Sequence, residues 1–408
     1  MSTTAQSPKT NTDILSRRVS EMEESQTLAM ARKSRELKEQ GIDIINMNLG
    51  EPDFKTPLFI QEAAKKAIDD GHFGYTPVAG IAPLRQAIVD KLKRENNLEY
   101  STEQIVVSTG AKQSIANVML ALLDKDDEVI IITPYWVSYV GIVQLAEGKS
   151  IFVEGSLEND YKVTAQQVKE AITPKTKAVI FSSPCNPTGS VFSEQELREI
   201  AEVIAPHEKI TVVADEIYEY INFGEAHFSI GRVESLKDRV VTINGLSKGF
   251  AMTGWRLGYA AAPLAIAKAC DKIQGQVTSG TNSITQHAAV AALNGSRKEV
   301  EEMKTAYEKR GKLIKSLLDE VEGFKCNTPQ GAFYVFPDVS DFYGKKYEGK
   351  TIQNSEDFSM FLLETAHVAV VMGDAFGAPS CVRLSFATSE DLIKKAIERI
   401  KKAIEKLS

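Results

Sequence analysis
Short apolar runs alternating with helix-patterned stretches constrain this chain more than any other feature of its sequence. Gln104–Ser108, Glu128–Ile132, Ala178–Ser182, Ile210–Ala214, Val240–Ile243 and Leu257–Ala261 are continuous and rich in β-branched residues. A strand that is apolar on both faces must be covered on both faces, which predicts a mostly parallel central sheet between layers of helix. Helical spacing fills the gaps. Pro57–Asp70 places Ile60, Ala63, Ala64, Ala67 and Ile68 on one face and is closed by Gly71, and Pro83–Asn96 follows the glycine turn at Gly80. A helix from about Ala111 to Leu123 comes next, and another opens on a capping box of Ser193 and Glu196.

Beyond a charge-rich helix around 296–321 the texture changes. GAFYVFPDV, HVAVVM and CVRLSFAT read as strands, with helices at Ser355–Thr365 and Ser389–Leu407. The early helix Thr27–Gln40, closed by Gly41, cannot bury its apolar stripe alone and is expected to join this unit. The expected α/β organisation is a disordered tail at 1–12, a large domain at 50–300, and a small α+β domain built from 13–49 and 301–408. Hinges are expected near Gly41–Glu51 and along the 300–321 helix.

The chain has 408 residues, with 48 Lys+Arg against 55 Asp+Glu and a net charge of −7. That balance argues against a nucleic acid or an anionic membrane as partner, so any bound anion must be held by a local positive site. Four scattered cysteines without a CxxC pair fit a reducing compartment. Five scattered histidines show no metal-ligand spacing, so no metal is expected. The polar start and the lack of any membrane-length apolar run make a cytoplasmic location the expectation.

Neither GxxxxGK[ST] nor GxGxxG occurs, so the familiar nucleotide signatures are missing. Polar residues gather instead where strands end, the usual place for ligands in open α/β sheets. In VVSTGAKQS a strand runs through Ser108–Ala111 into a helix whose first N–H groups can cradle an anion, although small-residue turns are common without one. Lys112 sits in the first turn against the helix dipole, which hints at an anionic ligand. Two prolines around Asn186 in SSPCNPTG aim its amide out from a strand end, or simply make a turn. Asp215 and Glu216 close an apolar strand, where a carboxylate needs a cation or else serves as a helix cap. Lys248 lies among Gly, Ser, Phe and Met in NGLSKGFAMTGWRLGY, and a desolvated lysine becomes a nucleophilic amine able to form a Schiff base.

GLSKGFAMTGWRLG resembles the lysine signature of the class I pyridoxal-phosphate aminotransferases. NLGEPDF, GYTPVAGI, STGAK, PYWVSY, NPTG, DEIY, the lysine and RLSFAT follow in that family's order from about Ser16 to the C-terminus. SRRV, GEPDF and FAMTGWR are most similar to bacterial aspartate aminotransferases of the Ib subgroup. The resemblance implies fold type I and pyridoxal 5'-phosphate on Lys248 as a Schiff base. Asp215 would face the ring nitrogen, Tyr218 and Asn186 the phenolic oxygen, and Trp136 the ring face. Gly110, Ala111 and Arg256 would take the phosphate, with Lys112 and Ser247 beside it. Gly245 departs from relatives that carry a phosphate-binding Ser there, which puts one contact in doubt. Tyr75 would reach the phosphate from the neighbouring subunit, implying a homodimer with shared active sites.

For substrate, the resemblance implies that Arg383 clamps the α-carboxylate, with the backbone of Gly50 and the side chain of Asn186 assisting. Lys112, helped by Ser25 and Thr27, would meet a second carboxylate. Small-domain closure would then complete the pocket. The implied reaction is ping-pong transfer of the amino group of aspartate to 2-oxoglutarate. A prephenate or aromatic aminotransferase, or a carbon–sulfur lyase, is the alternative on the same scaffold. A transcription regulator with an aminotransferase-like sensor would need an added DNA-binding domain, and only about a dozen residues precede the family-like region.

Overall fold
The computed structural model describes residues 14–20, 22 and 26–408, the side chains of 17 and 26–31 excepted. The tail at 1–12 and Ser25 lie outside the described residues, as does the side chain of Thr27. Seven strands form the main sheet: β1 (Ile105–Ser108), β2 (Glu128–Thr133), β3 (Lys149–Glu154), β4 (Thr176–Ser182), β5 (Thr211–Asp215), β6 (Val240–Gly245) and β7 (Gly258–Ala261). Their order is β1-β7-β6-β5-β4-β2-β3. β7 runs antiparallel to both neighbours and every other pairing is parallel.

The continuous apolar runs divide between two faces, as period-two geometry demands. Ile131, Ile180 and Val213 pack with Ile115, Val118 and Met119 of helix Ala111–Leu122. Their neighbours Ile130, Val179 and Val212 pack on the other face with Leu197, Ile200 and Ile204 of helix Glu194–Ile204. The Ser193–Glu196 capping box is present at the start of that helix. β3 and the helices Ser138–Leu145, Leu264–Val277 and Ser283–Asn294 were not anticipated. The face read for Pro57–Asp70 is partly wrong: helix Leu58–Asp69 buries Ile60, Ala64 and Ala67 but leaves Ile68 48% exposed.

The chain ends meet away from this sheet. Ile45–Asn46 pairs in parallel with Val368–Ala369, and the Ser34 hydroxyl donates to Asn46 Oδ1 at 2.7 Å. Tyr334–Val335, Val382–Ser385 and Val371–Met372 form an antiparallel three-stranded sheet. Helix Lys298–Asp319 buries Met303, Tyr307, Ile314 and Leu318 in one core with Ile393, Ile397 and Ile400 of helix Glu390–Ile404. The helix read at Ser355–Thr365 ends at Phe361, and a wider π turn carries the chain through Ala366. No described helix is long and apolar enough to cross a membrane.

Candidate active site
Three parallel strands end side by side. Ser182 of β4 pairs with Asp215 of β5, and Asp215 with Ile243 of β6. The segments that follow bring Asn186, Tyr218 and Lys248 to the same edge. β6 and β7 are joined by residues 246–257, so Lys248 and Arg256 leave the sheet on one connection.

Asp215 is 4% exposed. It accepts a hydrogen bond from the Tyr139 hydroxyl at 2.7 Å and another from the Ile217 N–H at 3.3 Å. Burial raises its pKa to about 6, and these two donors hold it from rising further. Lys248 Nζ donates to the Gly50 carbonyl at 2.6 Å and lies 5.8 and 5.9 Å from the Tyr218 and Phe333 ring centres. Burial is the main cause that lowers its pKa to about 8; Glu51 opposes the change, while Arg383 and Arg256 add to it. An appreciable fraction of neutral amine is therefore present near neutral pH.

Arg383 is 4% exposed. Its Nη1 donates to Asn186 Oδ1 at 2.9 Å and its Nη2 to the Asn48 carbonyl at 2.8 Å. The guanidinium stacks 4.4 Å from the Tyr334 ring centre and 4.9 Å from that of Phe376. Its buried Nε has no acceptor among the described residues. The hydroxyls of Tyr218 and Tyr334 are 2.8 Å apart.

At the start of helix Ala111–Leu122, Gly110 has φ +92°, and a Cβ there would lie 2.4 Å from Arg256 Nη2. Arg256 itself adopts φ +57° and donates from Nη1 to the Thr253 carbonyl at 2.8 Å. An open cavity of about 660 Å³ adjoins this point, lined by Thr109, Trp255, Arg256, Gly280 and Thr281 among others. Lys112 Nζ lies 5.1 Å over the Trp136 ring, and Trp136 meets Tyr139 edge-on at 5.5 Å. Desolvation and then the charge of Arg256 lower the Lys112 pKa.

Most of the sequence-predicted residues that are described thus share one site; Ser25 and the side chain of Thr27 lie outside the described residues. Tyr75 is fully exposed and takes no part in its own chain's site. Gly50 contributes its carbonyl, to Lys248, where its backbone was expected to assist a carboxylate. The departure at Gly245 has a physical cause: a Cβ there would lie 2.9 Å from Gly258 Cα and 2.9 Å from the Leu257 carbonyl, so a serine does not fit without a shift. Ser247 is buried in the turn that follows. Sequence reasoning missed Tyr139, Asn48 and Tyr334. Tyr139 lies in the PYWVSY segment, three residues after Trp136, one helical turn away.

The donor set fits pyridoxal phosphate: an amine of lowered pKa, a buried carboxylate for a ring N–H, and a helix N-terminus with an arginine at the glycine-only approach. An open sheet with these groups at its strand ends defines a fold type I pyridoxal-phosphate-dependent transferase. The class I and II aminotransferase family profile matches residues 42–400. An aspartate aminotransferase of Bacillus subtilis is 46% identical over 97% of this chain and all of its own length. A probable aspartate/prephenate aminotransferase of Rickettsia bellii is 47% identical over 96% of this chain and 98% of its own. The crystal structure of the Rhizobium meliloti aspartate aminotransferase superposes with a TM-score of 0.94 at 41% identity, covering 97% of this chain and 99% of that one. The chain belongs to the class I and II aminotransferases and is a pyridoxal-phosphate-dependent enzyme.

Proposed function
We propose that the enzyme moves the amino group of aspartate to 2-oxoglutarate, giving oxaloacetate and glutamate. The observation that carries this is the pairing of two cationic sites, buried Arg383 and the ring-stacked Lys112, around the strand ends that hold Lys248. The names of the B. subtilis and R. meliloti relatives support it. A glutamate/aspartate–prephenate activity is the second reading, favoured by the name of the R. bellii relative and by the dicarboxylate that both substrates share.

Bound pyridoxal phosphate supplies an electron sink for the carbanion at the substrate Cα. Lys248 Nζ would hold the cofactor and would carry the proton to and from the substrate Cα. Asp215 would accept the ring N–H, and Tyr139 holds that carboxylate in place. Asn186 gives its Oδ1 to Arg383, which leaves its Nδ2 to donate, with the Tyr218 hydroxyl, to the phenolic oxygen. Trp136 would cover the ring. Gly110, Ala111 and Arg256 would bind the phosphate, with Lys112 and Ser247 beside it. Arg383 orients the α-carboxylate through its fixed fork, and Lys112 meets the distal one. Ser25 and Thr27 are proposed to assist Lys112.

The residues fall into a large domain (50–300) and a small one (13–49 with 301–408) that closes over the substrate. The chain works as a cytoplasmic homodimer in which Tyr75 of one protomer reaches its partner's phosphate. Full exposure of Tyr75, with Phe73 and Leu58 also 70% and 66% exposed, supports this surface as the contact. The test is a donor panel with 2-oxoglutarate, covering aspartate, aromatic amino acids and kynurenine, and prephenate with glutamate. Aspartate should lead by kcat/KM. Steady-state transamination by Lys248→Ala at a rate near the parent's would sink the assignment.

A further inference from the structure
The strand end that carries Asp215 also carries a buried carboxylate that the reaction above does not use. Glu216 follows Asp215 directly and is 2% exposed. Its Oε2 lies 3.1 Å from His227 Nε2, and neither that oxygen nor either ring nitrogen has an aligned hydrogen-bond partner among the described residues.

The cations around it are already assigned. Lys91, fully buried, donates to Glu219 Oε1 and, at 2.7 Å, to Asn96 Oδ1, while Asn96 Nδ2 donates to Glu219 Oε2 at 2.7 Å. Glu219 therefore has its counter-ion, and Asp215 has Tyr139 and the cofactor's ring N–H. Glu216 is left with His227. A buried carboxylate without a cation is strongly disfavoured, and it would also repel the charge on Asp215 next to it.

We propose that His227 is a positioning residue that, held as an imidazolium, neutralises Glu216 and thereby keeps Asp215 ionised for the ring nitrogen. This rests on the reading of Asp215 given above. The charged groups facing His227 are Glu216, Glu219 and Lys91; the charge of Glu216 also acts on the Tyr100 phenol, and those of Glu216 and Glu219 on the Tyr259 phenol. Burial opposes protonation of the imidazole, but Glu216 and then Glu219 outweigh burial and Lys91, so its pKa is raised. One donor atom from each of Glu216, Glu219 and His227 lies within 4.8 Å of the others, a spacing that suits a divalent cation too. Both Glu219 oxygens are taken by Lys91 and Asn96, which favours the proton.

The first test is a nitrogen-15 NMR titration of the histidine rings in apoenzyme and holoenzyme, with His227→Gln assigning the signal. His227 should stay doubly protonated through pH 7, and its midpoint should fall in Glu216→Gln. A neutral ring at pH 7, or one zinc or manganese per chain lost in His227→Gln, overturns the proposal. The second test is the pH profile of kcat/KM. His227→Gln should move the acid limb to higher pH, costing up to roughly tenfold in rate per unit moved on that limb. The double variant Glu216→Gln with His227→Gln, which removes both charges, should bring the limb back. A uniform loss with an unmoved limb in both variants indicates packing alone and overturns it. Asp215→Asn run alongside separates the two readings: an active Asp215→Asn enzyme sinks the Asp215 assignment, whereas an inactive one beside an unmoved His227→Gln limb sinks the role of His227.

Discussion
Tyr139→Phe removes a single hydroxyl from a buried contact and so tests how Asp215 is kept charged. The lost bond, 2.7 Å from phenol to carboxylate, joins two side chains that are 1% and 4% exposed. A hydrogen bond to a charged group contributes roughly 1.5–3 kcal/mol, which corresponds to about one to two pKa units at 1.36 kcal/mol per unit. Asp215 starts near 6 because burial raises it, so the variant carries it across neutrality in the apoenzyme. Its ionised fraction at pH 7 then drops from about nine-tenths to between about a half and a tenth. The bound ring N–H lowers both values, but the difference between parent and variant persists. The assay is kcat/KM for aspartate from pH 5 to 9, with cofactor retention measured in parallel. The acid limb should rise by about one to two units while the rate at pH 9 stays close to the parent's. Superimposable acid limbs, or an equal loss at every pH, would refute the reasoning.

Gly110→Ala places a Cβ 2.4 Å from Arg256 Nη2 at φ +92°, so the guanidinium must swing away; cofactor affinity, measured by equilibrium dialysis, should weaken roughly 10- to 100-fold. Lys112→Ala should cut kcat/KM for aspartate by about 10- to 100-fold and leave alanine nearly unaffected; equal activity on aspartate would remove Lys112 from the distal site. Arg383→Lys loses the fork to Asn186 and Asn48 and should lower kcat/KM for every amino acid by about 100-fold, chiefly through KM. In the apoenzyme, the raised Asp215 pKa favours the fold fully below its unfolded value of 3.8, and that advantage is lost as pH rises through about 6. Asp215→Asn should therefore gain about 2.4 kcal/mol relative to parent apoenzyme between pH 4 and pH 8, read from denaturant melts.

What could be read from the sequence was set by burial on two faces and by local turn chemistry. Val212 and Val213 supply opposite layers of core, so their strand reads as an unbroken apolar run, and the register that follows puts Asp215 at its end. Lys248, Asn186 and Arg256 were legible because each lies in a short motif dense in Gly and Pro. Long-range contacts left no such trace. Arg383 is fixed by Asn48, 335 positions away, and Tyr218 by Tyr334, 116 away. Tyr139 was hidden because helix Ser138–Leu145, which aims it at Asp215, is short and lacks an amphipathic pattern. Ile68 failed for the opposite reason: its helix carries more apolar positions than its own chain can cover.

The three residues that sequence reasoning missed have a common character. Tyr139, Tyr334 and Asn48 hold Asp215, Tyr218 and Arg383 from behind, through a phenol, a phenol and a main-chain carbonyl. None of these groups carries charge, so none adds to the local positive field that the net charge of −7 conceals. They set where the charges point. A carboxylate near pKa 6 and an amine near 8 sit on either side of neutrality because burial disfavours the charged form of each. Burial alone would carry the carboxylate further up. The Tyr139 hydroxyl and the Ile217 N–H hold it near 6, so the carboxylate is mostly ionised at neutral pH while the amine keeps a neutral fraction.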